Sequence, residues 1–359
     1  KGTPITGNTA YVLGGGGAYW QNHTLVSGLN TKQSFGRVSY DLTDNISTHF
    51  QASIAQSRNV INTRVDERLA NSTTVMTIFR DNGFLRPEVV AALGPTTQSF
   101  TMSRISYDTP QNWGSALNNS QNYNLGVEGK FDVMGKEWNW DANYVYGISH
   151  LRQRVNEFNN QRFYTALDSV VQNGQVVCRA NVVAPGSAPG CVPINYFGVG
   201  APTQAAIDYI QNATYQTNQL TLNVVEANIS GSPFTLPAGD VAIAAGAEWR
   251  EEYFKTYGDP YGAGFAASPL TADYPFDPVL TAAGGNWYAG NFYNGRGHYD
   301  VREGFVEAGV PLWNNDSLGK ADLNLAVRLT NYSTSGSVTT WKVGGTWDTP
   351  LEGLRFRGV

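Results

Sequence analysis

The residues that could carry chemistry in this chain are few and do not converge. His23, His49, His150 and His298 are scattered, and none stands at the spacing of a metal-binding His-Glu-x-x-His helix. No serine lies in a Gly-x-Ser-x-Gly turn. The run Gly14 to Gly17 lacks the Lys-Ser/Thr of a phosphate-cradling loop and reads as a flexible loop. The chain is therefore expected not to be an enzyme, with no catalytic residue, metal site or cofactor. Cys178 and Cys191 flank a Pro/Gly-rich stretch. They read as a local disulfide worth about 3 kcal/mol, which implies an oxidising compartment. Two unpaired thiols are the alternative.

A second group of polar residues shares a parity. Arg37, Glu128, Lys130, Glu248, Arg250, Glu303, Glu307, Arg328, Lys342, Arg355 and Arg357 stand at the positions opposite the apolar ones in the alternating runs. On extended strands such charges fall on one face. They read as a polar wall that could hold another domain or guide a ligand; ordinary cross-strand charge pairing in a wet interior is the competing reading. A third group is aromatic: Tyr253, Tyr257, Tyr261, Tyr274, Trp287, Tyr288, Phe292 and Tyr293 stand among many glycines. Exposed rings in loops suit a sugar ring, an aromatic siderophore or a peptide. Packing of loop against loop is the alternative.

The elements that must position these groups have period two. Ile46, Thr48, Phe50, Ala52 and Ile54 oppose Ser47, His49, Gln51 and Ser53. Trp138, Trp140, Ala142, Tyr144, Tyr146 and Ile148 oppose Asn139, Asp141 and Asn143. Val241 to Trp249, Val306 to Val310, Leu323 to Leu329 and Trp341 to Trp347 repeat the pattern. Near 224–229 the phase blurs, as at a bulge. Ten strands of roughly nine to fifteen residues are expected. Their connections are short at one end. At the other end long loops are expected at about 1–33, 58–120, 150–213 and 254–298. The pieces R-P-E-V-V-A-A-L and T-Q-A-A-I-D-Y-I-Q within these loops read as short helices. A soluble sandwich would not segregate its loops in this way. A transmembrane antiparallel β-barrel with an apolar outside, a polar lumen, short periplasmic turns and long extracellular loops would. Trp138, Trp140 and Trp347, beside short turns, fit an aromatic girdle at the periplasmic interface.

Composition agrees. Among 359 residues only 15% are charged and 12% are aromatic, and mean hydropathy is −0.30. No stretch of ~18 apolar residues exists, so no helix spans a membrane. The net charge of −5 argues against nucleic acid as a partner. The chain begins at Lys1 without a signal peptide and stops at Val359 in a strand just begun, as expected of a piece of a longer precursor.

Several stretches together resemble the TonB-dependent outer-membrane receptors, and more narrowly the large receptors of sphingomonads and caulobacters. They are N-Y-N-L-G-V-E-G-K-F, W-N-W-D-A-N-Y-V-Y-G, C-V-P-I-N-Y-F-G-V-G-A-P-T-Q-A-A-I-D-Y-I, F-T-L-P-A-G-D-V-A-I-A-A-G-A-E-W-R-E-E, V-R-E-G-F-V-E-A-G-V-P-L and W-K-V-G-G-T-W-D-T-P-L-E-G-L-R-F-R-G. They follow the family's order along nearly the whole chain. The resemblance implies about ten strands of a 22-stranded barrel in a Gram-negative outer membrane. It implies active uptake of a scarce nutrient, an oligosaccharide, siderophore or similar. The implied partners are outer-membrane lipid, the receptor's own plug domain and, through its TonB box, the TonB complex. The plug and the C-terminal strands are absent from this sequence, so residues 1–359 resemble part of the barrel domain only. A passive porin-like channel and a structural or adhesive outer-membrane β-protein are the alternatives.

Overall fold

The computed structural model describes residues 3–5, 8–13, 23–62, 66–68, 75–262 and 286–359. Two short strands, β1 (Thr3–Ile5) and β2 (Asn8–Leu13), pair as a hairpin. The main sheet begins with β3 (Gly28–Thr43) and β4 (Ile46–Asn62). The next connection carries β5 (Asp66–Arg68), β6 (Met76–Phe79), α1 (Pro87–Ala92), β7 (Ser99–Met102) and β8 (Arg104–Ser106). The chain returns to the sheet with β9 (Trp113–Val133) and β10 (Lys136–Phe158). It leaves again through α2 (Asn160–Leu167), β11 (Ser169–Gln172), β12 (Gln175–Cys178), α3 (Arg179–Val183) and α4 (Gln204–Ile210). The sheet continues with β13 (Gln211–Leu236), β14 (Gly239–Gly258), β15 (Gly295–Asn315), β16 (Gly319–Tyr332), β17 (Gly336–Asp348) and β18 (Arg355–Gly358).

The ten-stranded sheet is an antiparallel meander in the order β18-β17-β16-β15-β14-β13-β10-β9-β4-β3. Every strand pairs with its nearest sheet strands in the sequence. The fold is thus all-β and antiparallel with a few short helices, and among the described residues no helix is long and apolar enough to cross a membrane. The sheet is open, with β3 and β18 at its edges, so a closed barrel is not formed by these residues. Connections at one end are tight. At the other, 63–112, 159–210 and 259–294 are long, and only 333–335 is short. Most strands outrun the expected nine to fifteen residues, β13 with 26 and β10 with 23, while β16 and β17 fall within it with 14 and 13. Loops are therefore shorter than the sequence suggested; in the loop expected at 58–120, β4 runs on to Asn62 and β9 already begins at Trp113. The bulge expected near 224–229 is absent, because β13 pairs with β10 in unbroken register from Gln211 to Gly231. Its register shifts later, between Gly231 and Phe234. The blurred phase has another cause: Leu220, Leu222 and Val224 lie on one face and Val225, Ala227 and Ile229 on the other.

Register sorts the sheet into an apolar and a charged face. On the apolar face each strand has the same profile, starting from the short-turn end. On β14 it reads Val241, Ile243, Ala245, Ala247 and Trp249, then Glu251, Tyr253 and Lys255. On β16 it reads Ala321, Leu323, Leu325, Val327 and Leu329, then Asn331. On β10, Trp138 to Ile148 precede His150, Arg152 and Arg154. On β4, Ile46 to Ile54 precede Gln56 and Arg58. The one hydroxyl in that last stretch, on Thr48, donates to the Gly126 carbonyl at 2.8 Å. The belt keeps large side chains in the open: Val306 is 50% exposed, Leu329 59% and Trp341 76%.

This belt does not follow the hydrogen-bonded rows, which run perpendicular to the strands. One row joins Ile46, Gly129, Trp140, Ile229, Ala245, Val306, Val327 and Trp341. On β4 that row is the lower margin of the belt. On β17 it is the upper margin, since Thr339 follows Trp341 and the belt descends to Trp347. Between those strands the belt shifts by three to four alternate positions, roughly 20–25 Å, over about 34 Å of sheet. The strands are therefore inclined by roughly 30–35° to the belt's normal, close to the tilt of barrel strands (~35–45°).

The charged face is the concave one. A cavity of about 600 Å³ on this side is lined by both Asp41 of β3 and Phe305 of β15. These strands are six positions apart, about 29 Å in a flat sheet, so the sheet must curl to bring them around one cavity.

At the short-turn end, aromatic rings cover glycines. A Cβ added to Gly129 would stand 2.8 Å from the Trp140 indole nitrogen, and the Trp138 ring likewise lies over Gly231. The Trp313 and Trp347 indoles donate to the Leu318 carbonyl at 3.3 and 2.7 Å, and Trp347 stacks on Phe356 at 5.6 Å. The β9–β10 turn has φ 53° at Met134 and 75° at Gly135, the two-residue hairpin geometry that favours Asn-Gly. Met134 is 98% exposed and contributes strain without burial. Met134→Asn is expected to stabilise the folded protein by about 0.5–1 kcal/mol, read as a higher urea midpoint.

Candidate functional site

Pairing register puts every charge singled out from the sequence on the concave face. Glu128 opposes Asp141, Glu248 opposes Glu226 and Glu303, Glu307 opposes Ala326, which opposes Lys342, and Arg328 opposes Phe305. Arg37 opposes Gln51, Lys130 opposes Asn139, Arg250 opposes Val224, and Arg355 and Arg357 oppose Asp348 and Thr346. Many are bonded within the wall. Arg328 pairs with Glu303 at 2.7 Å, and Thr330 adds a hydrogen bond to the same carboxylate at 3.2 Å. Arg250 bridges Glu248 and Glu252 at 3.1 and 3.7 Å. Lys130 meets Glu137 at 3.4 Å and Arg355 meets Asp348 at 3.1 Å. Ser47 donates to Glu128 at 3.2 Å. Lys342, Arg357 and Glu307 have no ion-pair partner among the described residues. Partly exposed pairs like these contribute about 0–1 kcal/mol each, so the wall is a polar lining more than a source of stability.

The long connections do not hang free. Those after β4, β10 and β14 interlock into a cap holding the main buried apolar cluster among the described residues: Met76, Ile78, Phe158, Phe163, Leu167, Ile194, Tyr196 and Ile210. At its centre Arg68 and Asp66 pair at 2.9 Å with both side chains fully buried. The guanidinium lies 3.7 Å from the Phe163 ring centre and 4.8 Å from that of Tyr288. Tyr196 donates to the other Asp66 oxygen at 3.3 Å. Burial pushes the Asp66 carboxyl up, and the pull of Arg68 offsets only part of that. The Cys178–Cys191 disulfide is formed, with its Cα atoms 6.4 Å apart. The expected helices are α1 and α4; Thr203 caps α4 by accepting from the Ala206 amide at 3.3 Å. The sequence reading missed α2, although Asn159 is a good N-cap and Phe163, Ala166 and Leu167 have helical spacing.

The loop aromatics separate into three groups. Tyr261 and Trp287 are 4% and 1% exposed, packed edge-to-face at 5.3 Å. The Trp287 indole donates to Asp259 at 3.1 Å. Tyr288 packs against the cap core and accepts from the Glu67 amide at 2.9 Å. For these residues the structure favours packing over ligand contact. Tyr253 and Tyr257 are not in a loop but on β14, on the outer face. Tyr293 remains exposed, at 58%, and Phe292 beside it is half-buried. Tyr274 lies outside the described residues, as does the run Gly14 to Gly17.

Asp81 and Asp168 tie two parts of the cap through Arg179, at 2.5 and 2.9 Å. The Arg179 hydrogen bond holds the Asp81 carboxyl below its ordinary 3.8. A lowered carboxylate stabilises the fold above its unfolded value and loses that contribution as pH falls through the folded one. Hydrogen exchange at α3 is therefore expected to quicken, relative to the main sheet, only below about pH 4; Arg179→Gln should remove the difference.

Neither a search against protein-family models nor a search of curated proteins returns a match to this chain.

Proposed function

We propose that the chain is an arc of a larger outer-membrane β-barrel, part of a transporter of the TonB-dependent type. The observation that carries the membrane reading is the inclined apolar belt. It spans nine to eleven residues on β4, β10, β14 and β16, the length a tilted strand needs to cross a hydrocarbon core (~9–11). It covers the convex face alone, opposite a charged concave face. In water such a belt would be a large exposed apolar surface; in lipid it needs no partner. The open edges at β3 and β18 would be paired by further strands, since unpaired backbone in lipid costs several kcal/mol per group.

Active uptake is the finer part of the proposal. It rests on the resemblance and on the interlocked cap at the long-loop end, which suits selective entry more than an open pore. The exposed Tyr293, the half-buried Phe292 beside it and the charged wall are the surfaces for an oligosaccharide, siderophore or similar ligand. Uptake of a labelled ligand by cells carrying the complete receptor is expected to stop when TonB is deleted. Unchanged uptake would mean a passive channel.

A further inference from the structure

Above the apolar belt, on its long-loop side, the outer face turns basic although the protein as a whole has a net charge of −5. One row joins Arg58, Leu117, Arg152 and Thr217 across β4, β9, β10 and β13. The next joins Ser115, Arg154 and Tyr215. These side chains surround a concavity of about 580 Å³ on the outer face. All three arginines are exposed, and none forms an ion pair among the described residues. That contrasts with the concave wall, where most arginines have a carboxylate. The row nearer the belt adds Lys32, His150, Lys255 and Arg296. Acidic residues on this part of the face are confined to Glu251 and Asp300 at its β14–β15 side.

Position matters as much as charge. Arg58 follows Ile54, the last apolar residue of the belt on β4, by four residues, and Arg152 follows Ile148 on β10 by the same spacing. That is about 13 Å along an inclined strand, or roughly 10 Å above the belt, within reach of a headgroup for a long arginine side chain.

We propose that Arg58, Arg152 and Arg154, with Tyr215 beside them, bind the phosphate-bearing headgroup of an anionic lipid whose chains lie on the belt below. Guanidinium forks match phosphate oxygens two at a time, and the Tyr215 hydroxyl adds a donor. The proposal rests on the membrane reading above.

The test reconstitutes the complete receptor into vesicles of zwitterionic lipid with and without a minor fraction of anionic phospholipid. Lipid retained on the purified protein is then counted by phosphorus assay and mass spectrometry. Wild type is expected to retain anionic lipid selectively, and the triple variant R58Q/R152Q/R154Q to lose that selectivity about 100-fold, roughly fivefold for each guanidinium. Insertion into purely zwitterionic vesicles should be the same for both. Equal anionic-lipid retention by an inserted triple variant overturns the lipid site and leaves the membrane reading intact. Failure of wild type to insert into any vesicle overturns both. Loss of selectivity on adding millimolar inorganic phosphate would assign the site to a soluble anion instead.

Discussion

Asp66→Ala is expected to unfold the cap and leave the sheet standing. Removing the carboxylate leaves the Arg68 guanidinium buried without a counter-charge, a change that costs about 3–5 kcal/mol in comparable pairs. The rings of Phe163 and Tyr288 would still face it, but cation–π attraction offsets only ~2 kcal/mol. Cap elements drawn from separate connections meet at this pair: Asn160 and Tyr164 from the second, Tyr288 from the third. Loss of one ion pair should therefore be felt by all of them. Hydrogen exchange is expected to collapse at β6, α2 and α4 while β13 and β14 keep their protection. Asp66→Asn, which retains an acceptor for Arg68, should fall between the two. Wild-type protection of the cap in Asp66→Ala would mean that the pair is incidental.

The second large effect separates the two faces at one height. Ala244 and Ala245 are chain neighbours on β14. Ala244 opposes Glu307 on the concave wall, and Ala245 opposes Ile229 and Val306 in the middle of the belt. Ala245→Arg is expected to cost ~2–4 kcal/mol in lipid, the penalty for arginine at the bilayer midplane of a barrel. Ala244→Arg should be nearly neutral, because it gives Glu307 a cross-strand partner. Urea unfolding of the reconstituted protein reads both. In a water-exposed sheet, the two substitutions would cost about the same.

Most of the sheet was legible in the sequence because period two needs only local information. Ile46 to Ile54, Trp138 to Ile148 and Leu323 to Leu329 declare both strand and face. The charged wall followed from the same parity, since a continuous register carries it from strand to strand. Legibility failed where both faces become polar. Above the belt, Gln56, Arg58, His150, Arg152 and Arg154 keep the strand but lose the contrast, so strand ends were placed too early. The basic cluster was missed for the same reason, although Arg58 has the parity of Ile54 and Arg152 that of Ile148. On β13 the contrast failed inside a strand, because Leu220 and Leu222 put apolar groups on the concave face. The cap was opaque for a different reason. Its core joins residues far apart in the sequence, such as Arg68 with Phe163 and Tyr288, and no local period announces that tyrosines and a tryptophan in a glycine-rich loop turn inward.

In the proposed barrel the convex face meets lipid and the concave face meets water. Nitroxide labels placed singly at Ala245 and Val327, and at their neighbours Ala244 and Ala326, test this arrangement in reconstituted vesicles. Molecular oxygen concentrates in hydrocarbon and a nickel chelate stays in water. High oxygen and low nickel accessibility are expected at Ala245 and Val327, with the reverse at Ala244 and Ala326. Nickel accessibility that is high at all four positions would contradict it.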